Sequence, residues 1–295
     1  MVISYHEEAA DMAKKAAVIN DLSGFGKCSL SAATAVLSVC GIQPCAVPTA
    51  IFTNQTGYPK YRCVDFTEHL GAYTEIWKND HVQFDGIYSG YIANEAQIDF
   101  IIDFIHTFKT KHTLVLVDPV MGDNGKIYKS YNSEMCRKMG SLVKKADMIT
   151  PNLTELCILS NKDHDMISRL PIRERIKAIK EMANRLIQQG CRAVVVTGII
   201  NGKYVYNYLF SENEELVIRS RYYKASFSGT GDLFASALFA KLLCGFGSGS
   251  ALKTASEFIE NSVADTITCQ SFDPNDGVEF EKNLIYLVKG DNPNE

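Results

Sequence analysis

The chain has 295 residues, of which 46% are hydrophobic and 22% charged, with a formal net charge of −4. That length suits one large α/β domain or two small ones, and the composition is that of an ordinary globular protein. It offers no basic stripe for nucleic acid and no apolar run of the ~18 residues a membrane span needs.

Residues 1–13 are polar and acidic, unlike a secretory signal, and read as a disordered extension, with Met12 a second candidate start. Residues 16–20 form a strand. The loop that follows, Asn20-Asp21-Leu22-Ser23-Gly24-Phe25-Gly26, mixes hydrogen-bonding groups with an aromatic ring. It is not a P-loop, because that motif needs Gly at 21 and Ser or Thr at 28, where Asp21 and Cys28 stand. Residues 30–40 read as a helix stopped by Gly41. Residues 45–52 are a strand, and Thr53-Asn54-Gln55-Thr56-Gly57-Tyr58 follows it. These two loops together suit a pocket for a flat, polar small molecule.

Helix 66–78, strand 86–88 and helix 96–108 come next. The last carries apolar residues at 98, 101, 102, 105 and 108, a helical period. Residues 113–117 are a buried strand, followed by a helix over 133–145 and a strand over 148–150. Thr154-Glu155 opens a short helix. Residues 171–189 form a long amphipathic helix with Pro171 at its start and Gly190 at its end. Strand 193–197 follows, then a hairpin of 203–210 and 216–222, and a mainly helical last third. Alternating strands and helices predict a mostly parallel sheet with helices on both faces, a three-layer α/β/α fold, as one domain over 14–290. Ligands of such sheets bind at the carboxyl ends of the strands.

Several loops at those ends carry chemistry. Phe227-Ser228-Gly229-Thr230-Gly231-Asp232 precedes an apolar helical run. Glycines let main-chain N–H groups converge, and the helix end adds its own, making an anion hole for phosphate. Asp232 beside that hole suits a general base for an attacking hydroxyl; the alternative is a helix cap. Asp118-Pro119-Val120-Met121-Gly122-Asp123 offers two acids for magnesium through waters, or an ordinary Asp-Pro turn. Gly122 permits an unusual backbone angle there. In Thr150-Pro151-Asn152-Leu153-Thr154-Glu155, Asn152 and Glu155 offer hard oxygens to a metal's water shell, or a capping box, or both. Thr197-Gly198 offers a hydroxyl and a free N–H to a phosphate. The nine cysteines, an odd count without C-x-x-C pairs, read as reduced cytoplasmic thiols, and the six histidines lack zinc spacing.

Taken together, these motifs resemble the pyridoxal kinase family of the ribokinase-like superfamily, on its pyridoxamine-kinase-like branch. The resemblance runs in order through Asn54-Gln55-Thr56-Gly57-Tyr58, Ser89-Gly90-Tyr91, the Asp118 loop, the Thr150 loop and Gly229-Thr230-Gly231-Asp232-Leu233-Phe234. It implies transfer of the γ-phosphoryl of ATP to the 5′-hydroxyl of a B6 vitamer, for salvage of pyridoxal 5′-phosphate. By the same resemblance, Asp232 is the base and the amides of Gly229, Thr230 and Gly231 are the anion hole. Asp118, Asp123, Asn152 and Glu155 match the region handling Mg2+, a monovalent cation such as K+, and phosphates. Thr197 and Tyr128 match phosphate contacts beside Thr150. Phe52, Thr56 and Tyr91 match the vitamer pocket, and a homodimer is implied. Asp21 stands where many members carry Ser, so it is expected to select among vitamers.

Two rivals remain. A hydroxymethylpyrimidine kinase of thiamine synthesis shares the fold, but that family usually reads Gly-Thr-Gly-Cys where Asp232 follows Gly231 here. A non-catalytic vitamer-binding protein on the same fold would not need Asp232. The base of the nucleotide is poorly marked in sequence; loops near Ser248 and Ser262 are expected to hold it by position alone.

Overall fold

The structure, a computed structural model, describes residues 12–288. Most of the expected 1–13 extension, and residues 289–290, lie outside the described residues. Strand β1 (Lys15–Ser23) is rich in small and branched apolar residues and is buried on both faces, the mark of a central strand. Helix α1 (Ser29–Val39) returns the chain to β2 (Gln43–Phe52), parallel to β1, and a short antiparallel β3 (Cys63–Asp65) closes that edge.

The chain then crosses back. Helix α2 (Thr67–Asn79) leads to β4 (Gly86–Ser89) on the other side of β1, and α3 (Glu95–Phe108) leads to β5 (Leu114–Val117). A small hairpin, β6 (Gly122–Asp123) and β7 (Lys126–Ile127), precedes α4 (Ser133–Val143) and β8 (Met148–Ile149). Helices α5 (Leu153–Leu159), α6 (His164–Ser168) and α7 (Ile172–Gln188) lead to β9 (Ala193–Asn201). Strands β10 (Tyr204–Ser211) and β11 (Glu215–Arg221) add an antiparallel edge. Helices α8 (Thr230–Leu243), α9 (Ser248–Thr266) and α10 (Leu284–Val288) complete the described chain.

The nine-stranded sheet has the order β11-β10-β9-β8-β5-β4-β1-β2-β3. Side chains alternate across it. Ala17 and Ile19 of β1 pack into a core with α2, α3, α4, α5 and α7, whereas Ala16 and Val18 face a second core with α1, α8, α9 and α10. The expected three layers and mostly parallel sheet are present. The chain leaves β1 toward β2 and returns on the opposite flank at β4, so the strand order switches direction between β1 and β4.

Three features depart from the expected elements. Strands β3, β6 and β7 are two or three residues long, too short to show a period. Strand β9 does not stop at 197 but runs to Asn201, with Gly198 taking φ +73° within it. Gly122 does not take an unusual backbone angle. It is required by contact, since a Cβ there would meet the Lys126 carbonyl oxygen at 2.3 Å.

Candidate active site

The carboxyl ends of β5, β8 and β9, the start of α8 and one face of α9 enclose a cleft of about 650 Å3. Such a site is what an open parallel sheet provides at its strand ends. The cleft brings together Asp118, Asp123, Tyr128, Thr150, Asn152, Glu155, Thr197, Gly229, Thr230, Gly231 and Asp232.

At one end, Gly229 is the N-cap of α8 at φ +80°, pressed so closely on the Lys27 carbonyl that a Cβ would lie 2.1 Å from its oxygen. The first hydrogen bond of this helix runs from the Leu233 N–H to the Gly229 carbonyl at 3.0 Å. The amides ahead of it therefore point out of the helix end. Asp232 is the third residue of α8, not its cap. Its Oδ1 accepts from the Asn20 side-chain amide at 3.2 Å, and the Ser29 main-chain N–H also points at its carboxylate. Ser29 is held at φ +53°, an uncommon conformation for a residue with a Cβ. Burial, then the charge of Asp21, pushes the Asp232 carboxyl up to about 6. A helix N-terminus favours the charged carboxylate, but burial outweighs it here.

At the other end sit the acids. Asp118 is buried and accepts from the Thr150 hydroxyl at 3.0 Å. Burial, followed by the charge of Asp232, lifts it to about 7. Glu155 is buried too, and burial and the Asp118 charge hold its carboxyl well above the usual range. Main-chain N–H groups of Met121 and Asn152 donate to its two oxygens at 3.1 and 2.9 Å. With Asn152 it forms a complete capping box on α5. The Asp123 carboxylate accepts from the N–H and side chain of Asn124. The Tyr128 hydroxyl is surrounded by acids and pushed up by burial and by Glu155, Asp123, Asp118 and Asp232 in turn. Among the described residues, Arg221 is the one Lys or Arg lining this cleft. The acids therefore lack cationic partners, and among the described residues no group of three or more His, Cys, Asp or Glu is set to hold a metal by itself. Hard oxygens without a complete protein cage fit a magnesium ion that keeps waters and phosphate oxygens as ligands.

The remaining expected residues divide between the cleft and its surroundings. Thr197 reaches the cleft, but the Gly198 N–H is not free: it donates to Asn207 Oδ1 at 3.0 Å, and Asn207 in turn donates to Ser256. Asp21, Phe52 and Tyr91 do not line the cleft, although the charge of Asp21 acts on Asp232. Asp21 is buried and accepts from the Ser23 hydroxyl at 2.9 Å, and burial raises its carboxyl. Phe52 and Tyr91 meet edge to face at 5.8 Å. Thr56 is exposed, while its neighbour Gln55 is buried and ties this loop to Asn275 and Ser228. Ser248 and Ser262 do not line the cleft. Ser248 is bonded to Glu214, and Ser262 back-bonds within α9 to the Phe258 carbonyl. Ser256, Ile259, Glu260 and Val263 line it instead, one face of α9. Only the period of that helix could have indicated them. Asn20 was visible in sequence only as a polar loop residue.

The sequence profile of the phosphomethylpyrimidine kinase family matches residues 18–275. The chain belongs to this family. Its relatives include a pyridoxine/pyridoxal/pyridoxamine kinase of Bordetella avium, 28% identical over 82% of each chain. A candidate phosphomethylpyrimidine kinase of Bacteroides thetaiotaomicron, solved with pyridoxal, is 34% identical with a TM-score of 0.88. The match covers 94% of this chain and 96% of that one. The pyridoxal kinase of Lactobacillus plantarum is 25% identical with a TM-score of 0.84, over 93% and 96% of the two chains. The resemblance to pyridoxal kinases read from the five motifs is met by family relatives of that name.

Proposed function

We propose that the chain is a pyridoxal kinase, transferring the γ-phosphoryl of ATP to the 5′-hydroxyl of pyridoxal, pyridoxine or pyridoxamine in salvage of pyridoxal 5′-phosphate. The observation that carries this is the meeting of Asp232 with the outward amides of α8 at one end of a cleft whose other end holds unpaired acids. Asp232 takes the proton of the 5′-hydroxyl. A carboxyl near 6 is mostly ionised at neutral pH yet basic enough to accept that proton. The amides of Gly229, Thr230 and Gly231 receive the charge of the transferring phosphoryl. Thr150, Asn152, Thr197 and Tyr128 contact the ATP phosphates. Asp118, Asp123 and Glu155 would hold magnesium, and a monovalent cation such as K+ would share that end. Magnesium, when bound, offsets the phosphate charge beside these acids. Phe52, Thr56 and Tyr91 form the vitamer pocket, with Asp21 at its edge. The kinase is one domain over 14–290, a cytoplasmic homodimer as the resemblance implies. Among the described residues no helix is long and apolar enough to cross a membrane.

A hydroxymethylpyrimidine kinase is the second reading, favoured by the family profile itself. Asp232, where such enzymes usually carry Cys, favours the pyridoxal side. ADP release from ATP is measured with pyridoxal, pyridoxine, pyridoxamine and hydroxymethylpyrimidine. Turnover highest with a B6 vitamer is expected, and turnover with hydroxymethylpyrimidine alone would reverse the assignment. In the same panel Asp21→Ser shifts the ranking away from amine-bearing substrates toward pyridoxal, by about ten- to a hundredfold for a lost charged contact. All four values falling together would make Asp21 a loop anchor.

A further inference from the structure

We infer that Asn20 is a positioning residue for the phosphoryl transfer: its side-chain amide fixes the Asp232 carboxylate at the switch point of the sheet. The inference rests on Asp232 being the base. Asn20 is fully buried at the carboxyl end of β1. Its Oδ1 accepts the main-chain N–H of Asp21 at 3.0 Å and of Tyr91 at 2.7 Å. An oxygen that faces two donors fixes which way the amide is turned. Its Nδ2 must then point the other way, and there it meets Asp232 Oδ1 at 3.2 Å.

Tyr91 lies just beyond β4, which flanks β1 at the point where the strand order switches. One side chain therefore ties the ends of both switch-point strands to the base on α8. Gly90 makes room for it, since a Cβ there would lie 2.3 Å from Asn20 Nδ2 and 2.8 Å from Oδ1. Asp21 on β1, Cys28 and Ser29 at the start of α1, Tyr88 on β4, Asp118 beyond β5 and Tyr128 face Asp232 from the surrounding elements. None is a cation. The Asn20 amide and the Ser29 N–H are the donors that hold the carboxylate in place.

Asn20→Asp is the discriminating variant. It keeps the acceptor for the two main-chain amides and replaces the donor to Asp232 with an acidic oxygen, which also sets a second carboxyl beside the base. The neutral Asn20→Ser separates loss of the donor from the added charge. With pyridoxal and ATP, kcat is expected to fall about ten- to a hundredfold, with both KM values within about threefold. In an Asp232→Asn background the same substitution should change kcat less than about twofold, because the group it acts through is gone. Asn20→Ser, shorter and neutral, repeats the comparison if the acid prevents folding. Asn20→Asp within threefold of wild type, with Asp232→Asn inactive, overturns the inference and leaves the base assignment standing. Equal losses in both backgrounds also overturn it. Asp232→Asn as active as wild type overturns both readings.

Discussion

Asp232 illustrates how magnitudes settle a question that the local sequence leaves open. A helix N-terminus stabilises a carboxylate by typically 0.3–1 kcal/mol, less than one pKa unit. Burial can raise a carboxyl by up to ~3–5 units, and here it prevails, with the neighbouring Asp21 adding to it. The acid limb of kcat/KM is therefore expected near pH 6, about two units above a free aspartate near 3.9. A pH–rate profile checks this. Asp21→Ser should move the limb to lower pH by removing an adjacent anion, and a wild-type limb below about 4.5 would contradict the assignment. The residue types of the Gly-Thr-Gly-Asp turn were legible because the turn is local. Asn20 was not, because its partner lies 212 positions away, a separation no spacing rule reports.

At the scale of elements, strand and helix periods were readable wherever a segment was long enough to bury a repeating face. They failed at β3, β6 and β7, which register only through pairing. The start of α8 separates two glycines that composition treats alike. Gly229 combines positive φ with contact against the Lys27 carbonyl, whereas a Cβ on Gly231 meets nothing within 4 Å. Gly229→Ala should cost about 1–2 kcal/mol for the left-handed backbone plus about 1–3 kcal/mol for overpacking. Calorimetry should show a thermal midpoint lower by at least a few degrees. Gly231→Ala should keep the midpoint within about 2 °C, since Ala favours a helix by ~1 kcal/mol over Gly, while raising KM for ATP by crowding the phosphate. Equal midpoints for the two variants would contradict this placement of the turn.

Across the whole molecule, two apolar cores hold a sheet whose carboxyl edge collects buried acids. Asp21, Asp118, Glu155 and Asp232 are all raised above their ordinary values. The stability they contribute is fully present below the unfolded value near 4 and is lost as pH rises through about 6 to 7. Asp65 and Asp265, held low chiefly by hydrogen bonds, act in the opposite sense, but below that window. The nucleotide-free protein should thus melt higher near pH 5 than near pH 7.5, and Asp118→Asn should flatten the slope. A midpoint rising steadily across this range would contradict the electrostatics. Magnesium with ATP should raise the midpoint at pH 7.5, by about 2.7 kcal/mol of stability at a hundredfold excess over Kd, and EDTA should remove most of that gain. The fold and the loops of the cleft were legible because each sits at a strand end; the cleft-facing side of α9 was not, since a helical period does not tell which neighbour the face meets. The central claim is that Asp232 accepts the proton of a vitamer hydroxyl. Its most direct test is single-turnover phosphorylation of pyridoxal by Asp232→Asn, alongside pyridoxal binding. A rate lower by about 10²–10⁴-fold with binding within about threefold is predicted, and more than a third of the wild-type rate would contradict it.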